Sequence, residues 1–252
     1  MPFYDQSAFD IRCEWGQKGV EVLAGNSDVI IIVDVFSFST AVDVAVARGA
    51  TIFPYRWKDE TALEYAKTLD AELVDATRSK GSWSLSPASL ISVPAGTKLV
   101  LPSSNGATLS LLTDKVPTFT ACFRNAQAVD EAAQSFGQRI AVIPGGERWP
   151  DRTMRPALED WLAAGAVIHH LKGTRSPEAS SADAAFCSVK DRLFEALTHC
   201  SSGRELTERG FADDIRYAAE LNISSVAPIL RDLGYTKWMT KPPGLAVIRI
   251  CT

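Results

Sequence analysis

The chain has 252 residues, of which 46% are hydrophobic and 22% are charged, as in ordinary soluble globular proteins. These values exclude a disordered or fibrous chain, and the length allows one large α/β domain or two lobes that share a cleft. The net charge of −4 at pH 7 comes without a basic stripe, so we expect neither nucleic acid nor a membrane surface as a partner.

The amino terminus and the cysteines predict a cytoplasmic protein. No charged region followed by an apolar run opens the sequence, so no signal peptide is expected. No apolar stretch reaches the roughly 18 residues that a membrane-spanning helix needs. The five cysteines are scattered and include no C-x-x-C pair, which favours reduced, buried and unreactive thiols.

Strand and helix patterns alternate through the first half of the chain. The run VIIIVDV (29–35) predicts a buried strand, because β-branched residues follow one another without alternation. A helix is predicted over 39–49, with Ser39 or Thr40 as its N-cap. Further strands are predicted at 51–55, 71–76, 97–102, 117–123 and 139–146, and further helices within 59–69, 103–113 and 125–137.

A long loop is predicted ahead of the second half of the chain, and the second half is predicted to be mostly helical. Residues 77–96 are rich in Ser, Gly and Pro and predict a long loop, of the kind that is often functional. Beyond residue 146 we predict helices at 155–172, 180–200, 203–209 and 212–221 and a closing strand at 244–250. The predicted fold is α/β, with a mostly parallel or mixed sheet flanked by helices on both faces. Two lobes, residues 1–136 and residues 137–252, are expected around a cleft.

In sheets of this kind, ligands bind beyond the carboxyl ends of the strands. The residues that follow the predicted strands are therefore the first candidates for a functional site. We expect them to line one edge of the sheet: Asp34 to Thr40, Ser103 to Ala107, Phe123 to Asn125, and Gly145 to Arg148.

Asp34 ends the most apolar predicted strand. A carboxylate there can hold a divalent cation, attack a phosphoryl group, or cap the next helix. Capping alone is a weak explanation, since Ser37, Ser39 and Thr40 lie nearer to that helix. The same three hydroxyl residues could bind a phosphate at the helix N-terminus, or be ordinary helix-start residues.

Two further turns could carry chemistry. Asn105-Gly106 permits a left-handed backbone that presents N–H groups to an anion, or is a plain β-turn. Gly145 and Gly146 let a ligand approach the main chain. They are followed by Glu147 and Arg148 and, early in an apolar helix, by Glu159-Asp160. These acids either complement a helix dipole or contribute to a hard-cation site.

Several common site types lack their sequence signatures. The three histidines do not have the spacing of a hydrolytic zinc site. Neither a Walker phosphate loop, a G-x-G-x-x-G turn nor a G-x-S-x-G nucleophile elbow occurs.

Five blocks in order together resemble the 2-phosphosulfolactate phosphatase family over nearly the whole chain. The blocks are VDVFSFSTAVDVAVARGA, PSSNGATLS, FRNAQAV, PGGERWPDRTMRPALEDWLAAGAVI and GRELTERGFADDIRYAAELNISSVAPIL. The family is known as Mg²⁺-dependent phosphatases with an α/β fold and a cleft site, which hydrolyse a phosphate monoester in coenzyme M biosynthesis. The resemblance marks, in this numbering, Asp34, Ser39, Thr40, Asn105, Gly106, Asn125, Gly146, Glu159, Asp160, Asp213, Asp214 and Pro228.

The chain departs from the family pattern at cationic positions. Ser37 and Phe38 stand where the family usually has Arg-Ala, and Ala107-Thr108 stand where it has Thr-Arg. The usual Gly-Glu-Arg after the third strand becomes DATRSKG, which keeps only Arg78. Fewer cations should weaken the binding of a doubly anionic substrate, at a cost of about 2–5 kcal/mol for a lost bidentate contact to a buried anion.

The resemblance and the strand-end residues together imply a Mg²⁺-dependent phosphomonoester hydrolase for a small phosphorylated acid. Its catalytic residues would be Asp34, Arg148 and Glu159, and Mg²⁺ would be held by Asp34, Glu159 and Asp160. Substrate would be bound by Ser37, Ser39, Thr40, Asn105, Gly106, Asn125, Gly145, Gly146 and Arg78.

Two alternatives stay open. One is a non-catalytic binder of an anionic metabolite on the same scaffold, and the other is an acidic cluster that only caps helices. The expected partner is a small phosphorylated or anionic metabolite, and a homodimer is left open.

Overall fold

The computed structural model describes residues 3–75 and 82–239. Its first elements are β1 (Ile11–Cys13), α1 (Gly16–Leu23), β2 (Val29–Val33), α2 (Phe38–Ala47), β3 (Thr51–Tyr55), α3 (Thr61–Leu69) and β4 (Glu72–Leu73). Next come α4 (Pro87–Leu90), β5 (Lys98–Pro102), α5 (Gly106–Leu111), β6 (Thr118–Ala121), α6 (Ala126–Ala133), β7 (Ile140–Pro144), β8 (Glu147–Arg148) and β9 (Met154–Arg155). The last are α7 (Leu158–His170), α8 (Pro177–Val189), α9 (Leu193–His199), α10 (Ser201–Glu208), α11 (Ala212–Ala218), β10 (Pro228–Arg231) and β11 (Gly234–Lys237).

Within the described residues, nine strands form one sheet in the order β1-β7-β2-β6-β10-β11-β3-β5-β4. The strands β1, β7, β2 and β6 pair in parallel, as do β3, β5 and β4. The hairpin β10–β11 lies between these two groups and is antiparallel to β6 and to β3. The predicted α/β fold with a mixed sheet is therefore confirmed.

Strand β2 is apolar throughout because helices cover both of its faces. Val29, Ile31 and Val33 belong to a cluster with residues of α6, α7 and α8. Ile30 and Ile32 point the other way and pack with residues of α1 and α5. Alternate side chains of a strand face opposite sides of the sheet, so a strand buried on both sides needs no polar alternation.

Strands from both halves of the sequence interleave in the sheet. Strand β7 lies between β1 and β2, and the hairpin β10–β11 lies between β6 and β3. The division into lobes of residues 1–136 and 137–252 stays a prediction. In the described parts of the chain, no helix is both long enough and apolar enough to span a bilayer.

Several predicted elements need correction. The helix predicted at 180–200 is two helices, α8 and α9, separated by a 3₁₀ turn at Lys190–Arg192. It also starts earlier, where the Ser176 hydroxyl accepts a hydrogen bond from the Ala179 N–H. The helix predicted at 155–172 starts only at Leu158, after an extended Ala157.

Other differences lie in short elements and in the undescribed parts. The predicted loop 77–96 contains the one-turn helix α4, and its first residues lie outside the described ranges. The strand predicted at 244–250 also lies outside them. Strand β1, helix α1 and the hairpins β8–β9 and β10–β11 have no counterpart in the prediction.

Candidate active site

The ends of β2 and β5 meet at the carboxylate of Asp34. This side chain is buried, and its Oδ2 accepts a hydrogen bond of 2.6 Å from the Gly106 N–H. The Ser103 hydroxyl donates a second one at 3.3 Å. Because Ser103 and Gly106 both follow β5, the predicted meeting of strand ends is present here. The Asp34 carboxylate is thereby held in one orientation.

Asp160, in the first turn of α7, joins the turns that follow β2 and β7. Its Oδ1 accepts from the Val35 N–H and its Oδ2 from the Gly146 N–H, both at 2.8 Å. The side chain is buried. Both oxygens of Asp160 are thus used to hold main chain on either side of Asp34.

Glu159, Ser39 and Thr40 contact other groups of the same chain. The Oε2 of Glu159 lies 3.5 Å from the Sγ of Cys200, which precedes α10. Ser39 Oγ accepts from the Asp34 N–H at 2.8 Å, and Thr40 Oγ1 donates to the Val35 carbonyl at the same distance. Ser39 and Thr40 are fully buried, so they stabilise the turn after β2 from inside.

The Asn105-Gly106 turn contributes differently from the prediction. Neither residue has a positive φ. Glycine is required at 106 for space, since a β-carbon there would lie 2.7 Å from Asp34 Oδ2 and 2.4 Å from the Phe38 ring. Asn105 Nδ2 donates to Glu147 Oε2 at 3.1 Å. The turn therefore positions two carboxylates, one through its main chain and one through a side chain.

The remaining predicted residues are spread around this centre. Asn125 is fully buried, and its Oδ1 accepts from the Cys122 N–H, so it shapes the turn after β6. The Gly145 N–H donates to the Val33 carbonyl, and Gly146 has a φ of +72°. Arg148 is exposed and donates to the carbonyl of Arg152. Arg78 lies outside the described residues.

A polar cavity of about 200 Å³ opens over Asp34. Its walls hold three carboxylates, Asp34, Glu147 and Glu205, and two cationic side chains, Lys58 and Arg209. Arg209 Nη1 lies 3.1 Å from Glu205 Oε1, so these two side chains form an ion pair. Its other lining residues are Phe36, Ser37, Leu85, Ser103, Ser104, Asn105, Ser202 and Leu206. Of the predicted substrate-binding residues, Ser37 and Asn105 reach this cavity.

Burial and mutual repulsion perturb the acids of this region. Burial raises the pKa of Asp34 above its usual value. Burial, with the charges of Asp34 and Glu159, raises the pKa of Asp160 well above its usual value. Burial and the charge of Asp34 raise the pKa of Glu147 to about 7. Carboxylates crowded in this way favour a bound cation, which removes the repulsion.

The oxygen donors around Asp34 suit a hard cation such as magnesium, and the predicted ligand set of Asp34, Glu159 and Asp160 stays a prediction. Within the described residues, Asp34, Glu159 and Asp160 are not among the groups whose three ligand atoms lie within 4.8 Å of one another. Asp34 and Glu147, however, line the same cavity. Mg²⁺ is commonly bound by one or two carboxylates, with waters and substrate phosphate oxygens completing its six ligands. Two carboxylates above one cavity fit that requirement.

Comparison with known proteins identifies the family. The family described as 2-phosphosulpholactate phosphatase matches residues 20–232. The chain belongs to this family. The 2-phosphosulfolactate phosphatase of Methanothermobacter thermautotrophicus is 30% identical over 214 residues, which cover 82% of this chain and 88% of that protein. A probable 2-phosphosulfolactate phosphatase of Gloeobacter violaceus is 27% identical, with coverages of 81% and 89%. One of Pseudothermotoga lettingae is 25% identical, with coverages of 80% and 88%.

The predicted family and the predicted enzyme class, a phosphatase, are thus confirmed. This member of the 2-phosphosulpholactate phosphatase family has Ser37 and Phe38 where the expected pattern has Arg-Ala. Ser37 lines the cavity, whereas Phe38 is fully buried and packs edge-on against Tyr235. The cations of the cavity come instead from Lys58, after β3, and Arg209, after α10. The family resemblance does not single out either residue, and both reach the cavity over Asp34 only through the fold.

Proposed function

We propose that this chain is a Mg²⁺-dependent phosphomonoester hydrolase that acts on a small phosphorylated acid in the cavity over Asp34. The observation that carries the proposal is the composition of that cavity. The carboxylates of Asp34 and Glu147 share about 200 Å³ with Lys58 and with the ion pair of Arg209 and Glu205. A volume of this size suits a small metabolite, and the cationic side chains suit its negative charges.

Each lining group has a role that follows from its chemistry. Lys58 and Arg209 would bind the phosphate oxygens and any further acidic group of the substrate. Asp34 and Glu147 would hold Mg²⁺, which when bound screens the charge of the phosphoryl oxygens. Asp34 would be kept in position by the Gly106 N–H and Ser103, and Glu147 by Asn105. Asp160 is a positioning residue, because it holds the main chain at Val35 and Gly146.

We infer the substrate class from the relatives. They are named as phosphatases of 2-phosphosulfolactate, and we propose a substrate of that kind, with a phosphate and a second negative group. The two cations on the cavity wall could each meet one of these groups. The free thiols of Cys13, Cys122, Cys187 and Cys200 support the predicted cytoplasmic location. A homodimer stays a prediction.

The test is phosphate release from 2-phosphosulfolactate and other small phosphorylated acids, with Mg²⁺ or with EDTA. We expect turnover that EDTA abolishes and added Mg²⁺ restores. We expect Asp34→Asn to lower kcat/KM by about 100-fold or more, since it removes a charge placed at the reacting phosphate.

The matched control is Glu64→Gln, which changes an acid of α3 whose side chain is 72% exposed. It should leave kcat/KM unchanged. Turnover that persists in EDTA would contradict the magnesium dependence. Ligand-induced melting shifts without any turnover would contradict hydrolysis and favour the non-catalytic binder.

A further inference from the structure

A histidine, an aspartate and a cysteine meet where α7 packs against α8. His169 lies in the last turn of α7, and Asp183 and Cys187 are four residues apart on one face of α8. The Nδ1 of His169 lies 2.7 Å from Asp183 Oδ1 and 3.5 Å from Cys187 Sγ. The sulfur lies 3.4 Å from the same carboxylate oxygen. The proposed phosphatase function uses none of these groups.

The arrangement is unsuited to a cysteine nucleophile. In a catalytic triad, the histidine uses one ring nitrogen for the nucleophile and the other for the acid. Here both partners meet the same nitrogen, Nδ1. Slight desolvation of the exposed Cys187 side chain, with the hydrogen bond to Asp183 and the charge of Asp183, raises the pKa of Cys187, so little thiolate is present. Nucleophilic chemistry therefore does not explain the cluster.

Metal coordination does match its geometry. The three ligand atoms all lie within 4.8 Å of one another, and within the described residues no other trio of such groups does. Nitrogen and sulfur ligands of a tetrahedral zinc ion, at bonds of about 2.0 and 2.3 Å, lie about 3.5 Å apart. The distances from Sγ to Nδ1 and to Oδ1 have this value already. The distance from Nδ1 to Oδ1 would have to widen by about 0.6 Å.

We propose that His169, Asp183 and Cys187 form a binding site for a zinc-like divalent cation between α7 and α8. The three side chains supply one nitrogen, one oxygen and one sulfur ligand. The Cys187 side chain is exposed, which leaves room for water as the fourth ligand. Binding releases the thiol proton of Cys187 to the solvent, so the affinity rises with pH.

Arg175 acts as the outer support of this site. Its guanidinium forms an ion pair with Asp183 Oδ2, which leaves Oδ1 directed at His169 and Cys187. It also donates to the carbonyls of His169 and Leu171 and so fixes the end of α7. Partners of this kind orient metal ligands. The positive charge of Arg175 opposes that of the cation, so we expect moderate affinity.

The site is distinct from the carboxylates around Asp34. His169 lies nine residues after Asp160 on the same helix, which at 1.5 Å per residue is roughly 13 Å. Its sulfur and nitrogen ligands favour soft ions, whereas the oxygen ligands around Asp34 favour magnesium. Occupancy of one site can therefore be measured without the other.

The test is a titration of the chelator-treated full chain with Co²⁺, followed by absorption. We expect a thiolate-to-cobalt band in the near ultraviolet that saturates at one equivalent and is removed by added Zn²⁺. Cys187→Ser should abolish the band, and His169→Ala should weaken binding by about tenfold or more.

Two control variants separate this site from its surroundings. His199→Ala removes a histidine outside the cluster, and Cys200→Ser removes the thiol next to Glu159; both should keep the band. The proposal is overturned if the unaltered chain shows no thiolate band, or if the band survives in Cys187→Ser. Phosphatase activity is not the readout, so failure here leaves the proposed function standing.

Discussion

At Gly106 the main chain closely approaches a buried carboxylate. Its N–H lies 2.6 Å from Asp34 Oδ2, and the ring of Phe38 closes the other side. Phe38 is fully buried and cannot move without disturbing the core. The position therefore excludes even one extra carbon atom.

We expect Gly106→Ala to lower the free energy of unfolding by about 1–3 kcal/mol, because its methyl group overpacks the contact between Asp34 and Phe38. The same displacement should lower kcat/KM, since Asp34 loses its fixed orientation. Urea denaturation and phosphate release measure the two effects.

Gly25→Ala is the matched control. A β-carbon at Gly25 meets nothing within 4 Å. That variant should stay within about 0.5 kcal/mol of the unaltered chain. An unchanged urea midpoint for Gly106→Ala would contradict this prediction, because the atoms around Gly106 would then have room for the methyl group.

For single residues, the sequence predicts the site residues that directly follow strands. It does not predict site residues that other segments of the chain contribute. Asp34, Ser103 and Asn105 are predictable, since each comes just after an apolar run. Lys58 and Arg209 are not, because a basic residue in an exposed segment has the same pattern wherever it points. Ser39 and Thr40 are predicted to bind substrate, which requires that their side chains face the cavity. Sequence position does not determine the direction of a side chain.

Among the elements, α2 is held by a buried ion pair. Asp43 of α2 is fully buried and accepts hydrogen bonds from Arg124 Nε at 2.9 Å and from Ser224 Oγ at 2.6 Å. The Arg124 side chain is only 12% exposed and also pairs with Glu220, after α11. This one arginine ties α2 to the turn after β6 and to the region of α11.

We expect Arg124→Met to lower the free energy of unfolding by about 3–5 kcal/mol, because it leaves the charge of Asp43 buried without its partner. The double variant Asp43→Asn, Arg124→Met should recover part of that loss. Urea denaturation of the three proteins measures it.

Arg139→Met provides the comparison at the surface. Arg139 is 57% exposed and pairs with Asp28, so its loss should cost less than about 1 kcal/mol. Equal losses for the two arginine variants would contradict the structural role given to Arg124.

Element prediction succeeds where burial produces a long pattern and fails where pairing is short. Strands β2, β5 and β7 are apolar runs buried on both faces, so their sequences reveal them. Strand β1 has three residues, and β10 joins β6 through the single pair Ile229 and Phe119. Such strands are determined by their neighbours. The break between α8 and α9 leaves no glycine or proline as a signal.

At the scale of the whole molecule, buried acids make stability depend on pH. Burial and the charge of Glu131 raise the pKa of Asp130 to about 6, and burial and Asp34 raise that of Glu147 to about 7. A carboxyl group whose pKa is higher in the folded than in the unfolded state stabilises the folded protein. This stabilisation is complete below the pKa of the unfolded state, near 4, and is lost as the pH rises through the pKa of the folded state. Acids with lowered pKa values, such as Asp28 beside Arg139, make the free energy of unfolding depend on pH only at pH values below that range.

We expect the free energy of unfolding in EDTA to fall as the pH rises from about 4.5 to 7, and Asp130→Asn isolates one cause. Asp130 is 2% exposed in α6, away from the cavity, and its Oδ1 accepts from Gln134 Nε2. Asparagine keeps an accepting oxygen there but carries no charge. The variant should be more stable than the unaltered chain by about 1–3 kcal/mol at pH 8, and should show no gain at pH 4. Urea denaturation at the two pH values measures this difference, and an equal effect at both would refute the titration of Asp130 as its source.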